Sequence, residues 1–180
     1  MSRATPELRT ERLLMRGWTN ADRDAFAEMN ADPEVMEHFP STLTREQSDA
    51  FVDRIERVFA EHGFGLWVLE RDGEFLGFTG LWVPTFHALF MDELPQPVVE
   101  VGWRLRRDAW GHGYATEAAR ASIRFGFETI GLPQIVSFTV IDNLRSQAVM
   151  RRLGMTRHTT YDHPIPDHEP LPSVCYVLRR

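Results

Sequence analysis

Length, composition and charge restrict the protein to a few classes. The chain has 180 residues, 43% of them hydrophobic, and a formal net charge of −6 at pH 7. These values predict one globular domain over residues 1–180, and the acidic balance argues against nucleic-acid binding. All 20 basic residues are arginine. A Walker-type phosphate loop requires lysine, so that class of nucleotide site is excluded.

The sequence carries no sign of a membrane or secreted protein. No apolar run approaches the roughly 20 residues that span a bilayer, and residues 1–14 lack the apolar core of a signal peptide. The single cysteine, Cys175, excludes an internal disulfide and is typical of a reducing compartment. We therefore expect a cytoplasmic protein with no membrane partner.

The first part of the chain predicts a strand and then helices. Arg12–Arg16 has the pattern of a short strand. Thr19 is placed to cap a helix that ends by Asp32-Pro33. The segment Asp32-Pro33-Glu34 then predicts the start of a second helix, because proline is favoured in the first helical position.

A third helix and a hairpin are predicted next. Thr44 and Gln47 match a capping box, and Gly63 is placed to end the helix that they begin. One stripe of this helix is apolar: Phe51, Ile55, Val58 and Phe59. Two β-prone runs follow, joined by the hairpin signal Asp72-Gly73: Phe64–Glu70 and Glu74–Val83.

The second half predicts alternating strands and helices. A loop over Pro84–Pro97 precedes a strand over Val98–Leu105, and a helix from about His112 to Ile130 follows. Later elements are a strand over residues 133–142, a helix over Leu144–Leu153 and a final strand over Val174–Leu178. Because a helix connects the strands at 98–105 and 133–142, we expect those strands to be parallel in a mixed α/β sheet.

Two glycines stand at the start of the long helix. Gly111 and Gly113 keep side chains away from the first helical N–H groups, which have no partner within the helix and can bind an anion such as phosphate. A turn required only by backbone geometry is the alternative. Dinucleotide binding fits poorly, because Thr116 stands where the third glycine of that motif belongs.

The ordered segments VEVGWRL, WGHGYATEA and SFTVIDNLRSQAVMRRLGM resemble the GCN5-related N-acetyltransferases (GNAT family). The segments LRTERLLMR and DPEVMEHF are similar to the branch that contains the ribosomal-protein N-terminal acetyltransferases. The resemblance implies a single-domain α/β (α+β) fold. It would have a mixed, largely antiparallel twisted sheet, a central splayed pair of parallel strands and about four flanking helices. It also implies acetyl-CoA as co-substrate and no metal.

The resemblance further implies which residues hold acetyl-CoA. The glycine turn would bind the pyrophosphate, and the preceding strand and the Asn143 region would bind the pantetheine arm. Arg151 would reach the nucleotide phosphate. Asp108 departs from the family's usual Gln or Arg, and Arg106 or Arg107 would compensate. The implied cofactor-binding set is Trp103, Leu105, Arg106, Trp110, Gly111, His112, Gly113, Tyr114, Ala115, Thr116, Asn143, Ser146 and Arg151.

Direct acyl transfer to an amine needs a base, and a proton donor for the leaving thiolate. Glu100, at the start of the strand beside the thioester, is our candidate base, with a solvent-facing carboxylate as the alternative. The family's usual acid is a tyrosine at the place of Met150, so Ser146, one turn earlier, is the candidate acid, with water as the alternative. Cys175 is interpreted as a buried apolar residue and not as a nucleophile.

The sequence leaves the acceptor open. It would be an amine, either a protein N-terminus in an open groove or a small molecule under the loop Pro84–Pro97. A non-catalytic acyl-CoA-binding module is the competing hypothesis, and a homodimer is compatible with the resemblance. The groups Tyr161-Asp162-His163 and Asp167-His168-Glu169 match no metal-ligand spacing and are interpreted as polar loop residues.

Overall fold

Strands throughout the chain join in a single mixed sheet. The computed structural model describes residues 5–180. Within them the strand order is β1-β2-β3-β4-β5-β6-β8-β7, and every neighbouring pair is antiparallel except β5 and β6. The strands are β1 (Leu8–Arg9), β2 (Leu14–Arg16), β3 (Leu66–Arg71), β4 (Glu74–Trp82), β5 (Glu100–Leu105), β6 (Gln134–Val140), β7 (Thr156–His163) and β8 (Leu171–Arg179).

Residues 5–180 also contain four α-helices. They are α1 (Asp22–Ala31), α2 (Arg45–His62), α3 (Tyr114–Phe125) and α4 (Leu144–Arg152). Short 3-10 helices occupy Leu89–Glu93 and Arg107–Ala109, and a π-helical turn extends α3 over Gly126–Ile130. No helix in this part of the chain is both long and apolar enough to cross a bilayer.

The parallel pair is splayed, as predicted. β5 and β6 share the register pair Glu100↔Val136, and the Val136 N–H donates to the carbonyl of Val99 at 3.0 Å. On its other side β5 pairs with β4 along its whole length. The Val101–Leu105 part of β5 therefore has one edge turned toward the gap between the two strands. The predicted mixed, largely antiparallel sheet with a splayed parallel pair is confirmed.

Local signals in α2 and the β3–β4 hairpin are also confirmed. The Thr44 hydroxyl accepts from the Gln47 N–H at 3.2 Å, and the Gln47 side chain accepts from the Thr44 N–H at 2.9 Å. Gly63 ends the helix at φ 74°. Asp72 and Gly73 form the hairpin turn with φ 53° and 81°. The buried stripe of α2 comprises Ser48, Val52, Ile55 and Phe59, so the pattern missed Ser48 and Val52, while the predicted Phe51 and Val58 are only partly buried.

The predicted cap at Thr19 and the predicted second helix are wrong. Ala21 is the N-cap of α1, and the Asp22 carboxylate accepts from the Thr19 hydroxyl at 2.8 Å, so the direction of the bond is reversed. After α1 the chain forms successive turns instead of a helix. Asp32 is extended, its carboxylate accepts from the Glu34 N–H at 2.9 Å, and Pro40 follows directly after Phe39.

The helix after the glycine turn begins later than predicted. Gly111 and Gly113 both have left-handed backbone angles, at φ 78° and 79°, so α3 starts at Tyr114 and not at His112. Its far end changes to a π-helical turn before Gly131 ends it at φ 79°. The two-residue strand β1 was not predicted, because Leu8–Arg9 is too short to show a period.

Candidate active site

A cleft of about 1660 Å³ opens where β5 and β6 diverge. Its walls are formed by β5, the middle of β6, the glycine turn, the first turns of α3 and one face of α4. All of the sequence-predicted site residues line this cleft, except Arg106 and Arg151. The fold therefore brings together segments that are distant in sequence, from Glu100 to Ser146.

The glycine turn presents free backbone donors to the cleft. No backbone N–H of Tyr114, Ala115 or Thr116 has a hydrogen-bond partner within residues 5–180, whereas the Glu117 N–H donates to the Gly113 carbonyl at 3.0 Å. A Cβ placed on Gly111 would meet no atom within 4 Å. The turn is an open cradle of N–H groups at the positive end of a helix dipole, which is suited to a phosphate group.

Arg12, from the far edge of the sheet, braces this turn. Its Nη1 donates to the His112 carbonyl at 2.9 Å, and its Nε donates to the Glu117 carboxylate at 2.7 Å. Thr10 also donates to Glu117, at 2.5 Å. Burial alone would raise the pKa of Glu117, but these bonds outweigh it and hold the pKa below its usual range. The turn is thus held by a charge network that leaves its N–H groups free.

The opposite wall is formed by the start of α4. The Asn143 side chain caps this helix by accepting from the Ser146 N–H at 3.1 Å, so both residues are fixed beside the cleft. Arg145 places its guanidinium 4.7 Å from the centre of the Trp110 ring. Arg145 was missed at the sequence level, because its approach to Trp110 depends on how α4 packs against the turn.

Two arginines predicted to bind the cofactor point elsewhere. Arg106 donates to the Asp108 carboxylate and to the Phe75 carbonyl, so it neutralises Asp108 and does not line the cleft. Its interaction with Asp108 does explain how the turn tolerates that anion. Arg151 donates to the Tyr176 hydroxyl at 3.3 Å and also lies outside the cleft wall. Neither guanidinium lines the cleft, so their predicted contacts with the cofactor have no support from the geometry.

Glu100 lies at the point where β5 and β6 separate. It is partly buried, lines the cleft, and burial raises its pKa from the usual value to about 8. No salt bridge or hydrogen bond from residues 5–180 contributes to that shift. A carboxylate with this pKa can accept a proton near neutral pH and release it again, which is the property required of a general base.

The comparison with known families decides the class of the protein. Residues 12–156 match the family described as acetyltransferase (GNAT) domain. The chain belongs to the GNAT acetyltransferase family.

Similar proteins agree with this assignment. An FsC-acetyl coenzyme A-N(2)-transacetylase of Aspergillus fumigatus is 33% identical over 179 residues, which cover 93% of this chain and 74% of the relative. The crystal structure of an acetyltransferase from Agrobacterium tumefaciens is similar over 100% of this chain and 98% of its own, with a TM-score of 0.80 and 28% identity. The GNAT protein is therefore an acetyl-CoA-dependent N-acetyltransferase, and the hypothesis of a non-catalytic binding module is not supported.

A more distant structure shows the fold alone. The ribosomal L7/L12 alpha-N-protein acetyltransferase in complex with coenzyme A has a TM-score of 0.75 at 14% identity, covering 97% of this chain and 98% of its own. The fold of this chain is therefore similar to that of an enzyme from the predicted branch of the family. It does not carry the acceptor over to this GNAT protein.

Cys175 and Tyr161 share the sheet face of Glu100. Cys175 is fully buried, and burial together with the nearby Glu100 raises the pKa of its thiol to about 12. The same two causes raise the pKa of Tyr161 above its usual range, with Cys175 adding to them. Because the Cys175 thiol stays protonated and inaccessible, it is unsuited to a nucleophilic role.

The loop Pro84–Pro97 does not cover the cleft. None of its residues lines the cavity at Glu100. Phe86 and Phe90 instead pack on the β6–β8 part of the sheet, against Phe138 and Tyr161, in a separate apolar cluster. Trp82, in contrast, does line the cleft. Among residues 5–180 there is no cluster of three or more His, Cys, Asp or Glu side chains that could hold a metal ion.

Proposed function

We propose that the protein transfers an acetyl group from acetyl-CoA directly to a primary amine while both substrates occupy the cleft. The observation that carries the proposal is the position of Glu100. Its carboxyl lies in the cleft where β5 and β6 part, and burial raises its pKa to about 8. Direct transfer requires a base at the reacting amine and no nucleophilic side chain.

The glycine turn would hold the pyrophosphate of acetyl-CoA. Free N–H groups of Tyr114, Ala115 and Thr116 face the cleft, and the space at Gly111 allows close approach of the ligand. A phosphate at this place gains both hydrogen bonds and the helix dipole. Arg145 would add charge on the opposite wall, in place of Arg151. Acetyl-CoA supplies the activated acyl group; the chain supplies its orientation.

The pantetheine arm would lie along the free edge of β5. The edge at Val101–Leu105 is not paired with β6. Its Leu105 carbonyl accepts from the Trp110 indole N–H at 2.9 Å, so the backbone groups at Trp103 are the ones that a ligand in the gap would use. The Ser137 hydroxyl already donates to the Val101 carbonyl at 2.9 Å. Residues Trp103 and Leu105 line the cleft along this edge, in agreement with their proposed role.

Proton transfer would involve Glu100 and Ser146. An amine is protonated at neutral pH, and a Glu100 carboxylate with a pKa of about 8 can take up the proton that the amine loses. Met150 lines the cleft but has no proton to give. The hydroxyl of Ser146, also at the cleft, would protonate or stabilise the leaving thiolate.

A product analysis tests the proposal. The purified protein is incubated with acetyl-CoA and a panel of primary amines, and released thiol and the acetylated amine are measured together. We expect equal amounts of CoA and N-acetyl product, and no CoA release without an amine. Release of CoA without acetylated amine, or failure to react with any primary amine, would contradict the proposal.

A further inference from the structure

Strand β5 presents three residues to the same side of the cleft. Glu100, Gly102 and Arg104 alternate along the strand, so they share one face of the sheet, and all three line the cleft. Four residues of strand separate the Cα atoms of Glu100 and Arg104 by about 13 Å. The face therefore carries an acid at one end and a guanidinium at the other.

The space between these two side chains is open. A Cβ built on Gly102 would meet no atom within 4 Å. At Gly80, the neighbour of Gly102 in β4, a Cβ would instead lie 2.0 Å from the Gly65 carbonyl oxygen. Gly80 is thus required by packing, whereas Gly102 leaves room in the cleft between Glu100 and Arg104.

Buried neighbours fix the position of Arg104. Its Nη1 donates to the Asn30 side-chain oxygen at 2.7 Å, and the Asn30 amide donates to the Ser48 hydroxyl at 2.9 Å. Asn30 and Ser48 are both fully buried. The guanidinium also lies over the rings of Phe39 and Phe78, at 4.3 and 5.3 Å from their centres. It is held in one place before any substrate binds.

Arg104 nevertheless has no anionic partner among residues 5–180. It makes no salt bridge, and its Nε is buried without an acceptor. Two carboxylates that line the cleft lie near Phe39 in sequence, and neither forms a salt bridge with Arg104: Glu34 pairs with Arg107, and Glu37 lies 3.8 Å from His38. Burial lowers the pKa of Arg104 to about 10, so the group is still a cation at neutral pH.

An unpaired cation in a half-buried position is unfavourable for the folded state. The aromatic rings attract the charge, but they do not replace acceptors for the remaining guanidinium N–H groups. A cation without partners is expected at a site where a bound ligand supplies the missing hydrogen-bond acceptors. Its planar arrangement of donors matches the two oxygens of a carboxylate.

We propose that Arg104 is a specificity residue that binds a carboxylate on the acceptor, whose amine lies beside Glu100. This inference rests on the proposed function and narrows the acceptor to an amine with a carboxylate at the other end of the molecule. Gly102 provides the room in which the chain of that molecule lies. A site with Glu100 at one end and Arg104 at the other thus selects a zwitterion and not a polyamine.

Matched acceptors test the inference. Kinetics are measured with ε-aminocaproate and with hexylamine, which has the same chain length and no carboxylate, and with shorter ω-amino acids and their alkylamines. The variants are Arg104→Met, which keeps the apolar stem against the rings, and Arg104→Lys, which keeps the charge. Thermal unfolding and acetyl-CoA binding confirm that each variant is folded.

We expect kcat/KM of the wild type to favour at least one ω-amino acid over its alkylamine. Arg104→Met should lower kcat/KM for that ω-amino acid by about ten- to a hundredfold, mainly through KM, and change the value for the alkylamine by less than about threefold. Arg104→Lys should restore part of the loss. Equal losses for both acceptors, or no preference in the wild type, would overturn the inference.

A binding experiment keeps the inference separate from the proposed reaction. Hexanoate, which has a carboxylate and no amine, is titrated into the protein saturated with CoA, and hexanamide is the control. We expect binding of hexanoate that Arg104→Met weakens at least tenfold. If no amine reacts but hexanoate binds in this way, the proposed function fails and the carboxylate site stands. Absence of hexanoate binding to the wild type overturns the site.

Discussion

Glu100 lies directly opposite Val136, and this register pair is where β5 and β6 meet within residues 5–180. Beyond it the strands separate, and the cleft begins. The candidate base therefore stands at the closed end of the gap, where a ligand along β5 would present its reactive end. The same position removes the carboxyl from water and raises its pKa to about 8.

The raised pKa of Glu100 makes stability depend on pH. Its folded-state pKa of about 8 exceeds the ordinary value of 4.5, so the folded state holds the proton more tightly than the unfolded state. The stabilisation from this group is complete below about pH 4.5 and is lost as pH rises toward 8. Glu100→Gln removes that loss. We expect the melting temperature of the variant to rise relative to the wild type between pH 5 and pH 8, in matched buffers; a constant difference would contradict the assignment.

The glycine turn gives a prediction with an internal control. Gly111→Ala and Gly131→Ala both introduce a side chain at a left-handed φ, 78° and 79°, and both added Cβ atoms meet no atom within 4 Å. Each should cost about 1–2 kcal/mol of stability. Gly111→Ala should also weaken acetyl-CoA binding by at least about tenfold, because Gly111 lines the cleft and Gly131 does not.

Isothermal titration with acetyl-CoA checks this pair of variants, and thermal unfolding measures the shared loss of stability. A similar affinity for Gly111→Ala and Gly131→Ala would mean that the turn does not hold the ligand. A large loss of acetyl-CoA affinity in both variants would mean that binding is lost because the fold is destabilised, and not because the turn is altered.

Two arginines of α4 give opposite predictions. Arg145 lines the cleft and stacks on Trp110, whereas Arg151 donates to Tyr176 outside it. We expect Arg145→Ala to raise the Kd for acetyl-CoA about three- to tenfold, with the difference shrinking at high salt. Arg151→Ala should change it less than about twofold. The reverse order would restore Arg151 as the phosphate ligand that the family resemblance implies.

Removal of the only cysteine tests whether the transfer is direct. Cys175 is fully buried, and its thiol pKa is raised to about 12. We expect Cys175→Ala to keep kcat within about threefold of the wild type, with a modest loss of stability from the smaller side chain. Intact-mass measurement of the wild type with acetyl-CoA alone should show no acetylated protein. A stable acetyl adduct that disappears in the variant would contradict direct transfer.

Features that depend only on residues close together in the chain could be predicted from the sequence. The capping box of Thr44 and Gln47 and the turn at Gly111 and Gly113 depend on a few consecutive residues, so their patterns identify them. The parallel pairing followed from a helix between two strands. The helix predicted after Asp32 does not form, because the single helical signal at Pro33 competes with two others. These are the bond from the Glu34 N–H to the Asp32 carboxylate, and Pro40.

The directions of long side chains could not be predicted from the sequence. Arg106 turns to Asp108 and Arg151 to Tyr176, and these choices depend on partners that the backbone brings near. Arg104 was missed for the same reason, since Asn30 is 74 residues away in sequence. The one signal that could have found it is the strand period, which puts Arg104 on the face of Glu100.

The most direct test of the account is the pH dependence of kcat/KM for acetyl transfer to an amine acceptor, in the wild type and in Glu100→Gln. We predict a wild-type rate that rises with pH and levels off near pH 8, as Glu100 loses its proton. Glu100→Gln should lower the rate by about a hundredfold or more, abolish that inflection and leave acetyl-CoA affinity unchanged. A variant with the wild-type rate and the same inflection would show that Glu100 is not the base.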